Sequence, residues 1–84
     1  MTVEVFYAAD CPHAAAALAL VRRCLERLGL SAAALSVVEG DFPSPTVRVN
    51  GRDVMGPPPA WESGCRLDLP TEERVMSALA EAAT

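Results

Sequence analysis

Three cysteines and a single histidine are the side chains of this 84-residue chain best suited to chemistry. Asp10-Cys11-Pro12-His13 sets a thiol between a β-branched and aromatic run, Thr2–Tyr7, and a helix-forming stretch rich in alanine and leucine. A thiol in that position lies at the positive end of a helix, where backbone N–H groups stabilise the thiolate, the nucleophilic form of cysteine. A protonated His13 adds to that stabilisation and Asp10 opposes it. His13 is also a candidate acid/base or soft-metal ligand, set against the plainer reading of a solvated residue in a first helical turn. Cys24 falls on the apolar stripe of the same helix, beside Val21 and Leu28, and reads as core, since cysteine is among the most often buried residues. Cys65 follows Gly64 in a late loop. A bond from it to Cys11 would close a loop of about 55 residues and needs the two Cα atoms within roughly 7 Å.

Length and composition bound what these thiols can serve. A chain of this size makes one small domain and buries about 60–65% of the surface its unfolded form exposes. Half the residues are apolar (51%), enough to build a core, and no run approaches the ~20 apolar residues of a membrane helix. Eleven acidic residues against seven basic ones give a net charge of −4, which argues against a phosphate-neutralising nucleic-acid surface. The start Met1-Thr-Val-Glu-Val lacks the basic segment of a signal peptide, and the odd number of cysteines excludes a fully paired disulfide scaffold. Both point to a cytoplasmic thiol protein, and no cofactor is expected.

The elements that must position the thiols follow from periodicity. Thr2–Tyr7 alternates as a strand, with Val3, Val5 and Tyr7 on one face and Glu4 and Phe6 on the other. Pro12 to Leu28 reads as a helix, with Pro12 just inside its start, Arg22, Arg23 and Arg27 toward its C-terminal end and Gly29 as the cap. Ala33–Glu39 forms a second strand, and Thr46–Asn50 a third. Asn50-Gly51 is a hairpin signal leading to a fourth, Arg52–Met55. A loop with Pro57–Pro59 and Trp61 follows; it reads as a hydrophobic cap over the sheet, with a partner-binding patch as the other reading. Thr71 caps a last helix whose buried stripe runs through Val75 and Leu79. The order is β-α-β-β-β-α, with the first two strands parallel through a right-handed crossover.

Cys11-Pro12-His13-Ala14 ahead of a helix, and Ser44-Pro45-Thr46 directly ahead of the third strand, resemble the thioredoxin/glutaredoxin superfamily. D-C-P-H, S-P-T-V-R-V-N-G-R-D-V and the late G-C-R-L are similar to short bacterial thioredoxin-like proteins known as alkylmercury-lyase-like. The likeness covers residues 2–29, 44–55 and 64–83. It implies a minimal thioredoxin-like α/β fold: a four-stranded mixed sheet in order 2-1-3-4, with two helices on one face and the middle helix absent. The omission is feasible, because the link from strand two to strand three need only cross strand one, roughly 10 Å at ~4.8 Å per strand. Five or six residues suffice. Val3, Val5, Val47 and Val49 would then face the helices, and Glu4, Thr46 and Arg48 the open side, with Glu4 and Arg48 as a cross-strand pair. Phe6, Val38 and Met55 remain apolar on that side, for the Pro57–Trp61 loop or a second subunit to cover.

The resemblance further implies that Pro45 is cis and packs beside the thiol, that Pro12, Ser44, Pro45, Thr46 and Gly64 help hold the substrate, and that Gly64-Cys65 returns to the site. One departure matters: the position of the resolving cysteine of a C-x-x-C pair is Ala14. The expected chemistry is thiol–disulfide exchange or thiol transfer on a protein or small thiol, with Cys11 as nucleophile, His13 assisting and Cys65 as a non-local second thiol. Two alternatives stand beside it. One is soft-metal binding, of mercury type or with organomercurial-lyase-like activity, through Cys11 and Cys65; such chemistry would want a carboxylate too, and of the two at hand, Asp10 and Asp41, the latter reads as a loop residue. The other is a non-catalytic binding module, docking a protein or a second copy on the open sheet face.

Overall fold

The computed structural model describes residues 1–56 and 69–83. Its elements run β1 (Val3–Tyr7), α1 (Ala14–Arg27), β2 (Leu35–Glu39), β3 (Thr46–Val49), β4 (Arg52–Asp53) and α2 (Glu72–Ala83). The strands form one mixed sheet ordered β2-β1-β3-β4. β1 and β2 are parallel with Val5 opposite Val37, β1 and β3 antiparallel with Val5 opposite Val47, and β3 and β4 antiparallel with Arg48 opposite Asp53. This is the α/β arrangement expected from the sequence, and six residues, 40–45, replace the middle helix.

Alternation along the strands decides which face is covered. Val3, Val5, Val47 and Val49 pack with Val21, Cys24 and Leu25 of α1 and with Val75 and Leu79 of α2 in one apolar cluster. Each such aliphatic side chain contributes about 1.5–3 kcal/mol on burial. The helix ends are fixed by local chemistry. Gly29, at φ +68°, lets the chain turn left after α1, and the amides of Gly29 and Leu30 return to the carbonyls of Glu26 and Leu25 at 3.0 and 2.9 Å. Thr71 Oγ1 accepts from the Arg74 amide at 3.2 Å, capping α2 as predicted. Between the helices the Arg27 guanidinium pairs with Glu72 across exposed surface.

Several boundaries differ from expectation. His13, in αR geometry, is the residue before α1, so Pro12 lies outside the helix rather than in its first turn. A single 3₁₀ turn at Ala32–Ala34, whose Ala33 amide bonds to Ser31 Oγ at 3.1 Å, delays β2 to Leu35. β4 stops after two residues because Asp53 Oδ1 accepts the Met55 amide (2.9 Å) and its carbonyl accepts the Gly56 amide (3.1 Å), turning the chain away.

The open face also closes differently. Glu4 does lie opposite Arg48 in register, but the Arg48 guanidinium sits over the Phe6 ring, 4.8 Å from its centroid, instead of making an ion pair with Glu4. The Phe42 ring meets Phe6 edge-on at 4.9 Å. Part of the cover for Phe6 thus comes from the crossing link itself. The Pro57–Trp61 loop lies outside the described residues, as do Gly64 and Cys65.

Candidate functional site

The site grows from the C-terminal end of β1. There the chain makes one tight turn, with the Cys11 amide bonded to the Ala8 carbonyl at 3.0 Å, and a second, with the Ala14 amide bonded to the Cys11 carbonyl at 3.4 Å, before α1 begins. These turns swing the Cys11 side chain inward, leaving it 7% exposed. The six-residue link brings the start of β3 to the same edge. The Ser44–Pro45 bond is cis, as the resemblance implied, and the Cys11 thiol donates to the Ser44 carbonyl oxygen at 3.6 Å. Residues far apart in sequence therefore meet at the sulfur through the β1–β3 pairing.

With the Ser44 carbonyl as its acceptor, the Cys11 S–H releases its proton before the sulfur attacks a disulfide. Cys11 stands three residues ahead of the first helical residue, Ala14. Asp10 and His13 are both exposed.

Ser44, Pro45 and Thr46 are all buried. Thr46 Oγ1 bonds back to the Pro43 carbonyl at 2.5 Å, tying down the link. Ser44 Oγ is fully buried and, among the described residues, has no hydrogen-bond partner. An orphaned hydroxyl of this kind costs about 1–3 kcal/mol unless water or a bound group satisfies it.

Two hollows flank the cysteine turn. An open cleft of about 320 Å³ lies between the β1–β2 side of the sheet and α1; Cys11 lines it together with Tyr7, Ala14, Leu18 and Val37. Val37 shares the helix-facing side of the sheet with Val5, yet it is 43% exposed on the edge strand. Tyr7, Leu18 and Val37 did not stand out as site residues in the sequence, although two helices cannot cover four strands and the in-phase valine on the edge was the available signal. The second hollow, about 230 Å³, is lined by His13, Arg23, Pro45, Leu69 and Pro70. His13 thus belongs to the cis-proline side, Cys11 to the apolar cleft. A larger hollow of about 390 Å³, between the β3–β4 hairpin and α2, is lined by residues such as Asn50, Arg52 and Glu81, with no thiol among the described lining residues.

Cys24 occupies the opposite environment. It is fully buried in the core cluster, and burial pushes its thiol above the ordinary range. The Glu72 carboxylate adds to the rise, while Arg23 and Arg27 pull the other way. Among the described residues no three of His, Cys, Asp and Glu converge as a metal site, and no helix is long and apolar enough to cross a membrane. Comparison with protein-family models, curated proteins and solved structures returned no match.

Proposed function

We propose that this protein is a small thioredoxin-like thiol protein in which Cys11 carries out thiol–disulfide exchange or thiol transfer. The observation that carries the reading is the Cys11 thiol bonded to the carbonyl of Ser44, directly before cis Pro45 and beside an open cleft. In the reaction Cys11 Sγ gives up its proton and attacks one sulfur of a disulfide. The S–S bond of the substrate breaks, a mixed disulfide with Cys11 forms, and the departing sulfur leaves as a thiol. A second thiol then releases the adduct. Cys65 is the candidate within the chain and an external thiol serves the same purpose.

The test uses the wild-type chain with 2-hydroxyethyl disulfide. Arginines divide the three cysteines among separate tryptic peptides, with Cys11 alone in residues 1–22. The reading expects the mixed disulfide on that peptide and loss of thiol transfer in Cys11→Ser. Full transfer by the serine variant would overturn it.

A further inference from the structure

The walls of the Cys11 cleft bear on what it accepts. They are Val5, Tyr7, Ala9, Ala14, Ala15, Leu18 and Val37, so among the described lining residues no side chain carries a charge, and the single polar side-chain atom besides the thiol is the Tyr7 hydroxyl. The polar side chains nearest Cys11 in sequence do not line it: His13 faces the separate cis-proline hollow and Asp10 is exposed. A volume of about 320 Å³ is generous for one small apolar group, since an apolar cavity of about 150 Å³ holds a benzene ring.

Resting on the reading of Cys11 as a thiol nucleophile, we infer that its substrate is a small disulfide whose transferred half is uncharged and apolar. A charged half, such as one bearing the carboxylates and ammonium of a peptide thiol, would lose water on entering the cleft and find no counter-charge on these walls. An aryl or short-alkyl half loses nothing and covers Val37 and Leu18, which otherwise remain partly in water. The exchange is balanced within the pair: Cys11 is oxidised into the mixed disulfide, the other substrate sulfur is reduced, and the thiol proton ends on the departing sulfur. The cleft thereby selects by charge and polarity, whereas the Ser44 carbonyl only holds the sulfur in place.

Three methanethiosulfonate reagents with the same leaving group test this: benzyl, which is neutral, sulfonatoethyl, which is anionic, and trimethylammonioethyl, which is cationic. Adduct formation is timed on residues 1–22 in the folded chain and normalised to the same reagent on the urea-unfolded chain. The neutral reagent should lead both charged ones by at least about tenfold. Its lead over the cationic reagent is the diagnostic one, because a net charge of −4 would by itself favour the cation. In Val37→Glu, whose site on the edge strand is half-exposed, the lead over the cationic reagent should fall by about threefold or more, with far-UV circular dichroism confirming the fold. Equal normalised rates, or a lead unchanged by Val37→Glu, overturn the apolar specificity and leave Cys11 a nucleophile. No adduct on Cys11 with any reagent overturns the nucleophile reading itself.

Discussion

Cys11, ahead of the N-terminus of α1, and Cys24, in its C-terminal half, have opposite surroundings. Cys24 is on the helix, its sulfur among Val21, Leu25 and the β-strand valines, where burial holds it protonated and no polar group is offered to it within the core cluster. Cys11 is on the turn before the helix, bonded to a carbonyl of the link that leads into β3 and lining a cleft that solvent reaches. The difference is made by backbone placement. A residue inside a helix can present its side chain only along the helix stripe, whereas a turn at the end of a strand can be met by main chain from the neighbouring strand.

The contrast can be broken most sharply by exchanging sulfur for oxygen at each position. Cys11→Ser should abolish thiol transfer while shifting stability by no more than about 1 kcal/mol, since a hydroxyl retains a donor for the Ser44 carbonyl. Cys24→Ser should do the reverse, lowering stability by about 1–3 kcal/mol through an ill-satisfied buried hydroxyl and leaving transfer intact. Urea unfolding and a transfer assay on both variants check the pair, and a loss of transfer in Cys24→Ser would erase the distinction. Next in size is the link that delivers Ser44. A Cβ at Gly40 would stand 2.6 Å from Phe42 Cε2, on a ring already packed against Phe6. Gly40→Ala should therefore cost about 1–3 kcal/mol and slow the reaction at Cys11 as well.

A pH series separates the thiols in another way. The folded Cys24 thiol is raised above its unfolded counterpart, so at neutral pH both states are protonated and nothing is lost. Above about pH 8.5 the unfolded state releases its proton first, and stability falls as pH rises. The fall should be shallower in Cys24→Ala, read from urea midpoints at pH 7, 8.5 and 10. Smallest of all is the Arg27–Glu72 pair, with both side chains substantially exposed. Arg27→Ala should change stability by about 0–1 kcal/mol, less at high salt, and leave both cysteines as they are.

Much of this contrast was legible in the sequence. The stripe Val21–Cys24–Leu28 marked Cys24 as core, and Asn50-Gly51, Gly29 and Thr71 acted where their local chemistry required. Sheet order and the meeting of Cys11 with Ser44–Pro45 followed once a strand-helix start and a pre-strand proline were recognised together. What stayed hidden depends on geometry between elements. Arg48 had Glu4 directly opposite, yet its long side chain reaches over the aromatic ring of Phe6, because an exposed ion pair offers little over cation–π contact. Phe42 looked like a link residue, and its ring becomes cover for the sheet only because the link is short enough to pass directly over β1. The helix began later than Pro12 suggested, since the two turns around Cys11 take up the intervening residues.

The most direct measurement is the rate of iodoacetamide labelling at Cys11 and Cys24 in the folded chain, each read on its own tryptic peptide and normalised to labelling in urea. Cys24 reacts only through unfolding, so Cys11 should be labelled at least about a hundredfold faster. Equal protection of the two thiols would contradict the account, for it would make Cys11 a second core cysteine with no open path to substrate.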